Sequence, residues 1–161
     1  VKKEIAERYQ IREKFWVQLL ETAKVKSKLH AKISAGRHGW IGASSGMQGL
    51  GFNYVIRRNE AQVELYIDRG KDKEEENIRI FKQIETEKHS IEEIFCESLE
   101  WEILEGRRAC RIKNIIQEGG YFDEEAKWPE IQTLMVDAMI RLEKALKPYI
   151  SSLYKRIRVH Y

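Results

Sequence analysis

Cysteine is scarce in this chain: Cys96 and Cys110 are its only thiols, and they form no Cys-x-x-Cys pair. That excludes the dense disulfide framework of a small secreted scaffold and points to a reduced, cytoplasmic protein. Long apolar runs are missing too. No stretch approaches the roughly 20 residues that cross a bilayer, and no charged-then-apolar leader precedes a cleavage site, so neither a membrane partner nor export is expected. Most informative is an absence of acid. Between Thr22 and Asn59 there is no Asp or Glu, while Lys24, Lys26, Lys28, Lys32, Arg37, Arg57 and Arg58 give the segment a local charge of +7. From Glu60 to Glu105 fifteen acids face six bases, so a chain of net charge +3 is strongly polarised along its length. Such polarisation either holds an anion, nucleic acid included, or closes internally as salt bridges.

Several chemistries lack their residues. His30, His38, His89 and His160 stand singly, without a second His or a Cys three or four residues away, so no metal site is expected. Gly46-x-x-Gly49-x-Gly51 is followed by no Gly-Lys-Ser/Thr and leads into a strand, which makes it turn chemistry and not a phosphate loop. Ser44 and Ser45 have no Gly-x-Ser-x-Gly frame. The single Glu-x-Lys, Glu125-Ala126-Lys127, lies near a helix start, whereas a restriction-type nuclease needs it on a strand beside further carboxylates. No catalytic residue and no cofactor follow from these patterns.

What is present reads as one α+β domain. At 161 residues and 42% hydrophobic content the chain can bury a proper core. Ile5, Tyr9, Trp16, Leu19 and Ala23 recur at helical spacing over residues 2–23, with Phe15 beside them. The basic stretch 24–38 is a loop or an exposed edge strand, since lysines also guard strand edges. A short strand at 40–44 sits among glycines. Two alternating runs follow, with Phe52, Tyr54 and Ile56, then Val63, Leu65 and Ile67, each on one face; they make a hairpin. Residues 72–95 switch to the helical period through Phe81, Ile84, Ile91 and Phe95. Leu99, Trp101 and Ile103 pair with Cys110, Ile112 and Ile116 across the turn Glu105–Gly106–Arg107. After Gly119–Gly120, Pro129 opens a final helix facing inward through Ile131, Leu134, Met135, Ala138, Leu142, Ala145 and Tyr149. The order is α-β-β-β-α-β-β-α: a mostly antiparallel sheet of about five strands with three helices. Residues 1–150 form the domain, and 151–161 are a basic extension that either prolongs the last helix past Pro148 or leaves the domain. Because the chain begins at Val1 and not Met, a piece of a longer protein is expected.

Strand alternation sends Asn53, Arg57, Glu64, Tyr66, Glu100, Glu102, Arg111 and Lys113 to the face opposite Leu65, Trp101 and Ile112. Cross-strand ion pairs on a solvated face are the plain account of that set; a ligand or partner surface is the other. Trp101 is expected on the buried face of an interior strand. Lys88 falls within the apolar stripe of its helix, so its ammonium must snorkel to water or meet a carboxylate; a desolvated catalytic lysine is the third reading. The partner considered is Glu64, in a polar network of Glu64, Lys88 and Arg111.

The succession Phe15-Trp16, His38-Gly39-Trp40-Ile41-Gly42, Val63-Glu64-Leu65-Tyr66-Ile67, Glu87-Lys88-His89-Ser90-Ile91-Glu92, Leu99-Glu100-Trp101 and Arg108-Ala109-Cys110-Arg111-Ile112 resembles a prokaryotic domain family of unknown function. The resemblance runs from about Ile11 to Ile150. It implies an accessory module at the C-terminus of longer proteins, some with a restriction-endonuclease-like nuclease domain upstream. Three readings follow. In the first, the domain contributes DNA or partner contacts to such a nuclease through Lys24, Lys26, Lys28, Lys32, Arg37, Arg57 and Arg58. In the second it is an interaction or homodimerisation domain whose charges pair internally; a stand-alone nuclease is third.

Overall fold

In a computed structural model that describes residues 1–159, the chain runs α1 (Lys2–Lys26), β1 (Trp40–Ser44), β2 (Leu50–Ile56), β3 (Ala61–Ile67), α2 (Glu74–Glu85), α3 (Lys88–Phe95), β4 (Glu100–Ile103), β5 (Cys110–Ile116), a short 3-10 turn at Glu125–Lys127, and α4 (Trp128–Val159). The strands form one five-stranded antiparallel sheet in the order β1-β2-β3-β5-β4. The α+β class and the five strands are as expected. The helix count is not: the described residues form four α-helices, because the stretch 72–95 is broken in two.

The break has a local cause. The Thr86 hydroxyl donates to the Gln83 carbonyl at 2.6 Å, which in a continuing helix would accept the Glu87 N–H. Glu87 N–H turns instead to Ile84 O at 3.0 Å, the tighter three-residue closure. The helical phase therefore resets, and Lys88 opens α3 as an exposed residue outside any apolar stripe.

By packing, the chain divides into two compact units, each built from discontinuous stretches. The first comprises Val1–Ala43, Asn53–Val63 and Ile115–Ile140. In it α1 is buried through Phe15, Trp16, Leu19, Leu20 and Ala23. Phe15 meets both Trp16 and Trp128 edge to face, with ring centroids 5.4 and 5.3 Å apart. Trp16 donates its indole N–H to His38 O at 2.8 Å, and Gln132 reaches Phe15 O at 3.2 Å. Burial of α1 begins at Phe15: Tyr9, expected on the inner face, is 38% exposed.

The second unit comprises Ser44–Phe52, Glu64–Asn114 and Arg141–Tyr161. Here β4 and β5 pair in the register Glu100 to Lys113, Trp101 to Ile112, Glu102 to Arg111 and Ile103 to Cys110, across a turn closed by Arg107 N–H to Leu104 O at 3.2 Å. β4 is an edge strand, so Trp101 is half-buried and not fully interior as expected. It packs edge to face on Phe81 and donates its indole N–H to Glu92 Oε2 at 3.2 Å. Pro148 does not stop α4, which continues to Val159. The basic extension is thus helical from Ser151 to Val159, and its last residues, His160 and Tyr161, lie outside the described residues. No helix among the described residues is long and apolar enough to cross a membrane.

Candidate functional site: an arginine cleft

Arg8 and Arg12 lie four residues apart on α1 and so share one helix face. Like charges at that spacing destabilise an isolated helix by a few tenths of a kcal/mol, and nothing in the first half of α1 buries them as core. Opposite them stands the β2–β3 turn, Arg57–Arg58–Asn59–Glu60, closed by Arg57 N–H to Glu60 O at 2.7 Å. These residues and Tyr121 line a cleft of about 420 Å³. Four guanidinium groups and one carboxylate line it, a clear cationic excess.

Backbone hydrogen bonds position the turn side of the cleft. The 120–123 segment straps the turn in place, with Tyr121 N–H donating to Arg57 O at 3.0 Å and Phe122 N–H to Arg58 O at 2.8 Å. The segment is itself fixed by Gly120 N–H to the Asp123 carboxylate at 2.9 Å. Only glycine fits at 120. A Cβ there would lie 2.1 Å from Arg57 O and 2.6 Å from Arg58 O, and neither carbonyl can give way without moving the turn.

Charge in the cleft is poorly neutralised. Arg57 reaches Glu60 at 3.4 Å, an exposed pair of little energetic weight. Arg12 lies over the Tyr121 ring at 5.7 Å and Arg58 over the Phe122 ring at 5.4 Å. Aromatic faces hold a guanidinium without consuming its N–H donors. The Nε of Arg12 is buried and has no hydrogen-bond partner among the described residues, an unmet donor at the cleft's edge.

The seven cations singled out from the sequence do not all come to this place. Arg57 and Arg58 do. Lys24 and Lys26 close the far end of α1, and at 1.5 Å per residue Lys24 is roughly 18 Å along the axis from Arg12. Lys26 pairs with Asp137 at 3.0 Å and Arg37 with Glu13 at 3.0 Å. Lys28 and Lys32 are exposed in the segment after α1. Arg8 and Arg12 were missed because they precede the acid-free run; the signal available for them was the like-charge pair at helical spacing.

The polar network is real in part. Arg111 bridges Glu102 at 3.1 Å and approaches Glu64 at 4.0 Å, while Lys113 holds Glu102 at 2.9 Å and Glu100 at 3.4 Å. The expected cross-strand pairs therefore form, but their face is not solvated as a whole: Glu64 is only 4% exposed, and Asn53 and Lys113 are buried as well. Lys88 takes no place in the network; the cation beside Glu64 is Arg111. Burial pushes the Glu102 carboxyl up, but its hydrogen bonds to Lys113 and Arg111 pull it further down, so it titrates below the ordinary value of 4.5.

A second depression, of about 480 Å³, is lined by Lys73, Glu76, Arg79, Leu153, Arg156 and their neighbours. Glu76 lies 3.3 Å from Arg69 and 3.8 Å from Lys73, so part of its cationic lining is already compensated. Glu125 of the single Glu-x-Lys is bound to Lys14 at 2.8 Å. No group of three or more His, Cys, Asp or Glu is arranged to hold a metal ion among the described residues.

Compared with known proteins, residues 11–150 match a family model described as a domain of unknown function, DUF4268. No curated protein and no solved structure matches the chain.

Proposed function

The chain belongs to this family of unknown function, and we propose that it is an accessory binding module that grips nucleic-acid phosphates in the arginine cleft on behalf of a nuclease-type protein. One observation carries the reading. Arg8, Arg12, Arg57 and Arg58 converge from two separate elements on one cleft whose lining contains a single acid. Folding alone gives no reason to gather four like charges, since each pair raises the free energy of the native state. A polyanion supplies the missing partners, and Arg is the side chain whose planar fork suits phosphate oxygens. The accessory role rests on the resemblance to modules that follow nuclease domains. No reaction is assigned to the domain itself.

The competing view, an interaction or dimerisation domain whose charges close internally, describes Arg111 and Lys113 well. It leaves the cleft without an explanation.

Fluorescence anisotropy with a labelled oligonucleotide at about 50 and 200 mM salt tests the proposal. Wild type should bind at the lower salt and weaken steeply at the higher. The double reversal Arg8→Glu with Arg57→Glu should abolish measurable binding, whereas reversal of Lys24 and Lys28 should weaken it only slightly. Equal effects of the two pairs, or no binding by wild type at low salt, would sink the reading.

A further inference from the structure

Phe122 is 68% exposed, yet its backbone is tied down. Its backbone N–H is bonded to Arg58 O, and the Arg58 guanidinium lies over its ring at 5.4 Å. The strap therefore presents a fixed aromatic surface to water beside a cation that also lines the phosphate cleft. The ring borders a shallow groove of about 280 Å³ that adjoins the cleft, with Arg8, Arg58 and Tyr121 common to both and Ile5 and Ile11 as its apolar wall. Glu4 and Glu7 also line this groove and offset Arg8 and Arg58, so it lacks the cationic excess that draws a phosphate into the cleft and suits an uncharged, flat group better.

From this arrangement we infer that the site selects nucleic acid with unpaired bases: a phosphate sits among Arg8, Arg12, Arg57 and Arg58, and the neighbouring base stacks on Phe122 and the Arg58 plane. The inference rests on the phosphate-gripping role proposed above and adds the class of ligand. In a duplex, base faces are covered by their neighbours, so an exposed ring gains nothing from them; in a single strand or a frayed end they are free to stack. Every base has a π-face, and binding is accordingly tolerant of sequence. Fixing Phe122 in place beforehand removes the cost of ordering it on contact.

The test uses a labelled mixed-sequence single strand, the same strand closed as a blunt hairpin duplex, and the same strand with its bases removed at several abasic positions. Each is titrated with wild type, Phe122→Ala and Phe122→Trp, whose urea midpoints should agree because the ring is exposed. Wild type should prefer the single strand by roughly tenfold or more, and Phe122→Ala should lose about 5- to 100-fold on it, as expected for one stacked base. The duplex and the abasic strand should be indifferent to Phe122→Ala, and Phe122→Trp should retain or improve single-strand binding. If Phe122→Ala binds the single strand like wild type while Arg8→Glu with Arg57→Glu still abolishes binding, stacking is overturned and the phosphate role survives. If no oligonucleotide binds, both fall. A phosphorylated peptide bound more tightly than the single strand, with no effect of Phe122→Ala, would overturn the assignment in favour of a protein ligand.

Discussion

Arg111 and Lys113 on β5 each meet two carboxylates, whereas Arg8, Arg12, Arg57 and Arg58 line a cleft whose one acid is Glu60, with Glu4 and Glu7 set in the adjoining groove. The two regions use the same chemistry to opposite ends. Around Arg111, charges alternate across a strand pair and Glu64 is buried, so each ion is a condition for the others' stability. In the cleft the donors are left open and the rings of Tyr121 and Phe122 carry the cations. A cation whose counter-ion is built in holds the fold together; a set of cations without one is available for a ligand. Removing a member should thus cost stability in the first region and binding in the second.

The largest effect is expected at the paired end. Arg111→Met removes the arginine that approaches the buried Glu64 and the second cation of Glu102, and it should lower stability by about 3 kcal/mol or slightly more, read as a reduced urea midpoint with unchanged oligonucleotide affinity. Cys110 provides an independent readout. Burial, with a smaller effect of Glu74, pushes this thiol up to about 11, so in wild type it should resist alkylation while exposed Cys96 reacts. Arg111→Met should make Cys110 labelling faster, and cleft variants should not.

A substitution that couples the two properties comes next. Gly120→Ala places a methyl against the carbonyls of Arg57 and Arg58, which should destabilise the chain by about 1–3 kcal/mol and weaken oligonucleotide binding by displacing the turn. If Gly120→Ala melts like wild type and binds like it, the strap does not position the arginines.

The smallest effect is in pH. Glu102 has a folded-state value lowered below 4.5, so its contribution to stability is present above about pH 4.5 and is lost as pH falls through the lower folded value. With Glu102 about 29% exposed, the loss should stay below about 1 kcal/mol. Urea melts at pH 6 and pH 3.5 should differ less in Glu102→Gln than in wild type. Arginine does not titrate in this range, and affinity for an oligonucleotide should be flat between about pH 5 and pH 8.

Much of the paired region was legible in the sequence. Alternation alone placed Glu100 and Glu102 against Arg111 and Lys113, because strand periodicity is strict and the turn at Gly106 fixes the register. The helix break at Thr86 was not legible, since a hydroxyl that captures one carbonyl leaves the hydrophobic period unchanged on both sides. Lys88 was misplaced for the same reason. The cleft was half legible: the acid-free run contains Arg57 and Arg58, but composition spread the charge over Lys24 to Arg37 as well. Bringing Arg8 and Arg12 to Arg57 depends on the 120–123 strap, a long-range contact that no local pattern encodes. Gly119–Gly120 was read as a break between elements, when Gly120 is the position where two backbones touch.

The salt dependence of binding tests the central claim most directly. For a single strand, log K falls with log salt by about 0.7 per neutralised phosphate, so a cleft of three or four engaged arginines predicts a slope of roughly −2 to −3. In the double variant Arg8→Gln with Arg57→Gln, the slope should become shallower by about 1.4, with a urea midpoint equal to that of wild type. An unchanged slope in that variant, or a slope that shallows only when Lys24, Lys28 and Lys32 are neutralised, would contradict the account and move the binding surface away from the arginine cleft.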